Sequence, residues 1–371
     1  MSNKAKKIIG DLFALAGVKL QGDNPWDIQV KNDAFYSRVL SGGSLALGES
    51  YMDGWWDCER LDEFAARVLK AELEDKVKTS KMILKAIQAK LFNLQTKSRA
   101  KEVMKKHYNL TAALYMSFLD SYNQYTCGYF KDTENLNEAQ EKKLDLICKK
   151  LQIKKEDKVL DIGCGWGGFA KFASEKYGCH VTGISLSDEQ IKYAKEYCKG
   201  LPVEIIKSDY RNFKGKFDKI LVCGMIEHVG YKNYRKFMKV VDSSLKPNGL
   251  FLLHTIGSNK SMTSTEPWMN KYIFPNSMVP SAKQITAALE GLFISEDWHN
   301  FGTNYDKTLM AWHKNFNENW NKIKDKYDER FFRMWNYYLL CCAGLFRSRK
   351  NQLWQIVLSK HGVPGGYKSI R

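Results

Sequence analysis

The chain has 371 residues, of which 44% are hydrophobic and 27% are charged. This composition is typical of a globular protein with room for two domains, and it excludes a wholly disordered chain. The 58 Lys and Arg residues outnumber the 41 Asp and Glu residues, giving a net charge of +17. Such a surplus favours an anionic partner, either nucleic acid or a phospholipid surface, and does not choose between them.

Residues 1–100 predict a small mixed α/β domain. Helical and strand-like patterns alternate up to about residue 75, with turn signals at residues 22–25 and 41–43. The first 20 residues predict a helix rather than a secretory signal, because Asp11 interrupts their apolar run and no cleavage site follows.

The stretch from residue 76 to residue 106 is strongly basic, with ten Lys and Arg residues against Glu102 as its one acid. Its apolar residues recur at helical spacing, while Lys78, Lys81 and Lys85 share another face. This pattern predicts a basic amphipathic helix that docks on anionic lipid. A solvated linker helix between two domains explains the pattern equally well.

Residues 101–371 predict a Rossmann-like α/β domain with a seven-stranded sheet. From residue 158 onward, apolar β-branched runs alternate with helical patterns, which is typical of a parallel sheet wound with helices. The predicted strands cover residues 158–162, 180–184, 203–207, 217–223, 249–255, 293–297 and 354–359. The predicted helices cover residues 167–177, 188–199, 231–244, 281–291, 305–324 and 327–345. Because two helices separate the last two strands, we expect that pair to be antiparallel at the sheet edge.

A glycine-rich loop follows the first of these strands. In Val159-Leu-Asp-Ile-Gly-Cys-Gly-Trp-Gly-Gly168, the glycines let a ligand approach bare backbone at a helix N-terminus. The spacing also satisfies G-x-G-x-x-G, so a nicotinamide or flavin cofactor is one candidate. S-adenosylmethionine is favoured, because Asp161 would repel a pyrophosphate but pair with an ammonium group. Strand two also ends in Ser185, where a dinucleotide ribose would require an acid.

Five further motifs make a resemblance specific. They are residues 48–57 (GESYMDGWWD), 125–130 (YTCGYF), 224–230 (GMIEHVG), 253–257 (LHTIG) and 296–302 (EDWHNFG). The glycine loop is similar to that of Rossmann-like S-adenosylmethionine methyltransferases. All six motifs together resemble the cyclopropane-fatty-acyl-phospholipid synthases, in order and over nearly the whole chain.

The resemblance implies a reaction. A methylene group passes from S-adenosylmethionine to the cis double bond of unsaturated acyl chains in membrane phospholipids, through a carbocation that bound bicarbonate deprotonates. The aromatic candidates to stabilise that cation are Tyr125, Tyr129, Phe130, Trp268 and Tyr272, although core packing also explains these rings. Relatives that leave a methyl branch are the alternative within the family.

The resemblance also implies catalytic residues. The positions matching the bicarbonate site are Cys127, Glu227, His254, Tyr305 and the backbone of Ile256. Taken singly, Glu227 is equally explained as a helix cap and His254 as a satisfied histidine at a strand end. Cys342 matches a cysteine suspected of catalysis in the family, but its apolar helical segment favours a buried structural thiol.

For the methyl donor, the resemblance points to residues in four segments of the chain. They are Tyr125, Thr126, Asp161, Gly163, Gly165, Trp166, Gly167, Ser185, Leu186, Gln190, Asp209 and Tyr210. Asp209 is the candidate for the adenine amino group and Tyr210 for stacking beside the ring. Gln190 is the candidate for the ribose, since Ser185 stands where many methyltransferases place an acid.

Cysteine and histidine spacing predicts reduced thiols and no metal site, because nine cysteines form no C-x-x-C pair and seven histidines are scattered. The apolar stretch 337–346 is shorter than the roughly 18 residues of a spanning helix. We expect a cytoplasmic protein associated peripherally with the inner face of the membrane, on anionic lipid. The family resemblance implies a homodimer.

Two functions of other classes stay open from the sequence. A nucleic-acid methyltransferase fits the charge, but the chain lacks an RNA-binding module and an N-P-P-[YFW] motif, so no nucleic-acid partner is predicted. A lipid-binding protein without catalysis is disfavoured by the intact glycine loop and the candidate bases.

Overall fold

The computed structural model describes residues 2–73 and 111–371. These residues divide into two compact units. We call residues 2–73, 263–275 and 305–351 the helical unit, and residues 111–262, 276–304 and 352–371 the sheet unit. The predicted domain boundary near residue 100 and the basic stretch 76–106 lie outside the described residues.

The described part of the sheet unit contains seven strands and six α-helices. In chain order its elements are α4 (Ala112–Met116), α5 (Leu136–Lys150), β3 (Lys158–Ile162), α6 (Gly168–Tyr177), β4 (His180–Ser185), α7 (Asp188–Tyr197), β5 (Val203–Lys207), β6 (Phe217–Cys223), α8 (Tyr234–Ser244), β7 (Leu245–Ser258), α10 (Ala282–Leu289), β8 (Ile294–Asn300) and β9 (Asn351–Ser359). Two short 3₁₀ turns, Ile226–His228 and Tyr231–Asn233, lie between β6 and α8.

The seven strands form one sheet in the order β5-β4-β3-β6-β7-β9-β8. Neighbours from β5 to β7 pair in parallel, and β8 pairs antiparallel with β9. The predicted α/β fold and the antiparallel final pair are therefore confirmed. Helix α5 is an addition that the sequence pattern did not predict.

Helices cover both faces of this sheet, so its strands are apolar on both faces. Val159 belongs to one buried apolar cluster, whereas its neighbours Leu160 and Ile162 belong to another. The alternation follows from the two-residue period of a strand. The chain leaves β3 in one direction to β4 and returns on the other side to β6, which is a switch point in the strand order. Ligands of wound sheets bind outside the carboxyl ends of strands at such a point.

The helical unit contains α1 (Ser2–Ala14), β1 (Gln29–Val30), α2 (Ala34–Met52), β2 (Trp56–Asp57), α3 (Leu61–Lys70), α9 (Pro267–Tyr272), most of α11 (Thr303–Asn319) and α12 (Glu329–Arg347). The two short strands pair antiparallel. The turn predicted at residues 41–43 is a kink inside α2, where Gly43 has φ of 61°. Helices α3 and α12 pack closely, because a Cβ on Gly344 would lie 2.5 Å from the Asp62 carbonyl oxygen.

This grouping joins late segments of the chain to the N-terminal segment, which the sequence pattern does not indicate. None of the described helices combines the length and the apolar character needed to cross a membrane.

Candidate active site

The glycine loop between β3 and α6 has the backbone that its sequence predicts. Gly163, Gly165 and Gly167 have φ values of 88°, 53° and 85°, a region that other residues rarely adopt. Gly168 begins α6, and a Cβ there would overlap the Tyr122 carbonyl oxygen. The N–H groups of Gly163 and Cys164 are hydrogen-bonded to the Ile184 carbonyl, which fixes the loop beside β4. The glycines place bare backbone at a helix N-terminus, where a ligand can approach closely.

Asp161 lies on β3 immediately before this loop and is only 2% exposed. Burial raises the pKa of its carboxyl to about 7, although the positive charge of Lys143 opposes that rise. A buried carboxyl of this kind is stabilised as an anion when a cation comes beside it. The observation fits the predicted pairing of Asp161 with the donor's ammonium group.

The segment carrying Tyr125, Thr126 and Cys127 is held on helix α5. The amide of buried Gln140 donates to the Thr126 carbonyl at 2.8 Å, and the Lys143 ammonium donates to the Thr126 hydroxyl at 2.9 Å. Cys127 is fully buried, and its thiol donates to the Gly128 carbonyl at 3.2 Å. Tyr125 and Trp166 both pack on Tyr115, with ring centroids 5.2 and 5.3 Å away. The structure thus brings this segment and the glycine loop together.

The predicted ribose and adenine residues follow β4 and β5. Ser185 donates its hydroxyl to the side-chain oxygen of Gln190 at 3.2 Å, so these two candidates form a pair. Leu186 between them is half-buried. Asp209 accepts two hydrogen bonds from the Arg211 guanidinium, at 2.8 and 2.6 Å. The Asp209 carboxylate is therefore fixed by a cation that the sequence analysis did not consider.

Tyr210 packs its ring on Phe237, with centroids 5.1 Å apart, and burial raises the pKa of its hydroxyl to about 12. The ring is partly buried against the sheet's apolar cluster. It has the flat, neutral character that stacking on a base requires.

Glu227 stands in the 3₁₀ turn that follows β6 and is 7% exposed. Its Oε1 accepts hydrogen bonds from the Ile256 backbone N–H at 2.8 Å and the Thr255 hydroxyl at 3.0 Å. Its Oε2 has no hydrogen-bond partner among the described residues. Burial raises the pKa of Glu227, and the two hydrogen bonds oppose that rise.

These contacts change the place of Ile256 in the site. The family resemblance implies that the Ile256 backbone binds the bicarbonate ion. In the structure the Ile256 N–H donates a hydrogen bond to Glu227 Oε1. The Ile256 amide therefore orients the Glu227 carboxylate, and a direct contact with an ion stays a prediction.

His254 lies on β7 and is 1% exposed. The side-chain amide nitrogen of Gln355, on β9, is 3.3 Å from His254 Nδ1. Because an amide nitrogen only donates, Nδ1 accepts and the ring proton resides on Nε2. Burial lowers the pKa of His254 well below its usual value, so the ring is neutral. Its Nε2 has no partner in the described part of the chain.

Tyr305 and Cys342 belong to the helical unit. Tyr305 is 9% exposed and packs its ring on Phe346, with centroids 4.5 Å apart. Cys342 is half-buried on α12, and desolvation together with the nearby Glu266 raises the pKa of its thiol to about 12. Arg347, a cation close to Cys342 in sequence, pairs with Asp62 and Asp306. The Cys342 thiol is therefore protonated at neutral pH and is a poor nucleophile.

Five residues of the site are not among those predicted from the sequence: Gln140, Lys143, Arg211, Thr255 and Gln355. A weak signal exists for the two on α5, since Gln140 and Lys143 occur at the spacing of the helix's buried positions Leu136, Ala139, Leu144 and Ile147. Gln355 is likewise a polar residue inside the apolar run of β9. No three His, Cys, Asp or Glu side chains within residues 2–73 and 111–371 lie close enough together to hold a metal ion.

The geometry agrees with the comparisons to known proteins. A family model described as mycolic acid cyclopropane synthetase matches residues 95–356. The cyclopropane-fatty-acyl-phospholipid synthase of Escherichia coli (strain K12) is 52% identical over 366 residues, which cover 98% of this chain and 96% of that protein. The chain belongs to the mycolic acid cyclopropane synthetase family.

Two further proteins are similar to this chain. The crystal structure of mycolic acid cyclopropane synthase CmaA1 complexed with SAH and CTAB is similar with a TM-score of 0.65 and 27% identity, over 70% of this chain and 98% of that chain. The sphingolipid C9-methyltransferase of Komagataella phaffii (strain GS115 / ATCC 20864) is 34% identical, over 72% of this chain and 60% of that protein. This chain is an S-adenosylmethionine-dependent methyltransferase, and the predicted family and enzyme class are confirmed.

Proposed function

We propose that the enzyme forms cyclopropane rings on unsaturated acyl chains of membrane phospholipids, with a bicarbonate ion as the base. In this reaction the bond from the donor's sulfur to its methyl group breaks and a bond to one alkene carbon forms. The positive charge passes to the other alkene carbon. Loss of a proton from the new methyl group then closes the ring.

The observation that carries this proposal is that two side chains capable of acid–base chemistry, Glu227 and His254, each keep a buried polar atom without a partner among the described residues. Glu227 Oε2 accepts hydrogen bonds, and His254 Nε2–H donates them. A buried polar atom without a partner costs about 1–3 kcal/mol, so each of these two atoms is expected to serve a ligand. Glu227 accepts a hydrogen bond from the Ile256 N–H, two residues after His254 on β7, which supports a shared site. Bicarbonate fits this pair, because it has one O–H to donate and further oxygens to accept.

The roles of the chain's own residues follow from that fit. Thr255 and the Ile256 N–H hold Glu227 Oε1, which leaves Oε2 to accept the ion's O–H. Gln355 holds His254 Nδ1, which leaves Nε2–H for another oxygen. Bicarbonate would supply the base that removes the proton. Cys127 and Tyr305 stay candidates for further contacts.

Aromatic side chains in the sheet unit suit a cationic intermediate. Phe301 packs its ring edge-on to His254, with centroids 6.0 Å apart, and Tyr129 packs on Phe301 at 5.2 Å. Phe130 is 8% exposed. Ring faces stabilise a cation without reacting with it, and the apolar side chains exclude water that would trap it. Trp268 and Tyr272, the other candidates, lie in the helical unit.

The deciding experiment is to incubate the full chain with S-adenosylmethionine and vesicles of monounsaturated phospholipid, and to analyse the acyl chains by mass spectrometry and proton NMR. We expect the gain of one CH₂ unit together with the upfield proton signals of a cyclopropane. The same gain in mass with a retained alkene signal would instead show a methyl branch and contradict the ring-closing step. Unmodified lipid in the presence of bound donor would contradict the acyl substrate itself.

We further propose that the cytoplasmic enzyme docks as a homodimer on anionic bilayers through the basic stretch 76–106. The support is the charge surplus, since a basic residue near an anionic surface contributes roughly 1 kcal/mol. Exchanging Lys78, Lys81 and Lys85 for Glu should weaken binding to anionic vesicles about a hundredfold or more and leave donor binding unchanged. Unchanged vesicle binding would contradict the docking role, and a monomeric mass in sedimentation would contradict the dimer.

A further inference from the structure

Lys143 is a charged side chain in the interior of the sheet unit. It lies on α5 and has no exposed surface. No carboxylate among the described residues lies within 4.0 Å of its Nζ. The ammonium donates instead to two neutral acceptors, the Gln124 side-chain oxygen and the Thr126 hydroxyl. A buried ammonium without an ion pair is unfavourable, and the burial lowers the pKa of Lys143.

A buried charge of the opposite sign lies nearby. Asp161 at the end of β3 is also buried and is not ion-paired with any described residue. Burial lowers the pKa of Lys143, and the charges of Asp120 and Asp161 oppose that shift. Burial raises the pKa of Asp161, and the charge of Lys143 opposes that rise. Thr126, the hydrogen-bond partner of Lys143, contacts Cys223 on β6, the strand that pairs with β3 beside Asp161. Such an arrangement complements a zwitterion, whose ammonium faces the acid and whose carboxylate faces the cation.

Lys143 cannot touch such a ligand directly, because its side chain is fully covered. Thr126 is the half-buried residue through which it acts. The Thr126 hydroxyl oxygen accepts from Lys143 Nζ at 2.9 Å and from the Cys223 thiol at 3.7 Å. With both acceptor positions engaged, the hydroxyl has only its own O–H left, so it acts as a donor. The adjacent positive charge strengthens that donor.

We infer that Lys143 is a positioning residue for the methyl donor: it orients the Thr126 hydroxyl to donate to the α-carboxylate of S-adenosylmethionine, while Asp161 receives the α-ammonium. The inference rests on one part of the proposed function, the binding of S-adenosylmethionine as the methyl donor. It depends neither on the acyl substrate nor on bicarbonate, so donor binding tests it separately.

The test compares two ligands by isothermal titration calorimetry on the full chain: S-adenosylhomocysteine and its decarboxylated analogue, which lacks the α-carboxylate. Lys143→Met keeps the length of the side chain and removes the charge and the N–H groups. We expect it to weaken S-adenosylhomocysteine binding about tenfold to a hundredfold and to change the analogue's affinity less than about twofold. Lys149→Met on the same helix, where the side chain is 56% exposed, is the matched control and should change neither.

A double-mutant cycle separates positioning from a general structural effect. Thr126→Val should lose the same affinity for S-adenosylhomocysteine, and adding Lys143→Met to Thr126→Val should cause no further loss. Thr126→Ser should retain the wild-type affinity. Equal losses on both ligands, or additive losses in the double variant, would overturn the inference.

Two further outcomes are also decisive. If Lys143→Met does not fold, Thr126→Val alone decides, because unchanged S-adenosylhomocysteine binding in that variant would overturn the inference. If the wild-type chain does not bind S-adenosylhomocysteine at all, the assignment of the donor fails as well as the role of Lys143.

Discussion

Asp62 in the helical unit and Glu227 in the sheet unit are both buried carboxylates, but Asp62 is paired with cations and Glu227 is hydrogen-bonded only to neutral groups. Asp62 has two arginine partners, Arg60 at 2.9 Å and Arg347 at 2.6 Å, and the pKa of its carboxyl falls to about 2 despite the desolvation. Glu227 has only neutral donors on one oxygen, none of the described residues on the other, and a raised pKa.

This difference separates a structural role from a functional one. The Asp62 cluster is complete, since its charges are balanced and its hydrogen bonds are made within the unit, and so it stabilises the fold. Glu227 Oε2 has no partner among the described residues, which is unfavourable for a buried atom, and the proposed bicarbonate ion would relieve it.

The largest effect should come from Glu227. Glu227→Gln keeps the shape of the side chain and removes the acceptor that we assign to the bicarbonate O–H. We expect kcat to fall about a thousandfold while the affinity for S-adenosylhomocysteine changes less than about twofold. Steady-state kinetics and calorimetry on one preparation measure both. Full turnover by this variant would show that Glu227 does not act in proton removal.

Asp161 should have the next largest effect, on donor binding and its pH dependence. The donor's ammonium pairs with the ionised carboxyl, whose pKa burial raises to about 7. The affinity for S-adenosylhomocysteine should therefore fall as the pH is lowered through about 7, by up to about tenfold per pH unit, and binding below that pH should release a proton. Asp161→Asn should weaken binding about a hundredfold and flatten this dependence.

Calorimetry between about pH 5 and pH 8 in buffers of different ionisation enthalpy checks the prediction. Asp188→Asn, with a side chain that is 80% exposed, is the control and should keep the wild-type profile. A pH-independent affinity in the wild type would contradict the pairing of Asp161 with the ammonium.

Substitution of Asp62 should lower the stability of the fold and leave the binding of the methyl donor unchanged. Asp62→Asn leaves Arg60 and Arg347 without their shared anion, and we expect a loss of about 2 kcal/mol in the free energy of unfolding. A carboxyl whose folded-state pKa is lowered contributes stability above its unfolded pKa of 3.8, and loses it as the pH falls toward about 2. The free energy of unfolding of the wild type should therefore decrease as the pH falls through this range. Asp62→Asn has no carboxyl at this position, so its free energy of unfolding should decrease less.

Urea unfolding at neutral and acid pH measures the Asp62 effect, and the affinity for S-adenosylhomocysteine should be unchanged. A loss of donor affinity as large as the loss of stability would remove the distinction between the two carboxylates.

The smallest effect should come from Cys342. Its thiol has a pKa of about 12, raised by desolvation and by Glu266, so it is not a nucleophile at neutral pH. Cys342→Ser should retain turnover within about twofold, which the lipid assay measures. A loss comparable with that of Glu227→Gln would assign Cys342 to the catalytic residues.

The wound sheet was predictable from sequence where local pattern and backbone pairing agree. Strand β3 has the predicted bounds, because a run of apolar residues ends at Gly163. Strand β7 begins earlier than predicted, at Leu245 rather than residue 249, because its pairing with Phe217 continues across polar residues that carry no strand pattern. The sequence pattern does not predict helix α5, because two of its buried positions carry the charged residues Lys143 and Lys150.

The site was predictable only in part, for a similar reason. Glu227 and His254 stand in motifs that the family resemblance marks. Gln355 stands in none of these motifs, and Thr255 shares the motif of His254 but not that of Glu227. The hydrogen bonds of Thr255 to Glu227 and of Gln355 to His254 join residues 28 and 101 positions apart. A hydrogen bond between residues so far apart leaves no periodic pattern or fixed spacing in the sequence, so only the folded structure shows it.

The three-part composition of the helical unit also governs when it can fold. Arg347 bonds to Asp62 across 285 positions of the chain, and α12 packs on α3. During synthesis the first 73 residues emerge long before α12 exists, so the face of α3 that α12 covers stays open while the sheet unit is being made. A fragment ending near residue 100 would leave the ribosome without the helix that completes its core, and membrane docking must therefore be measured on the whole chain.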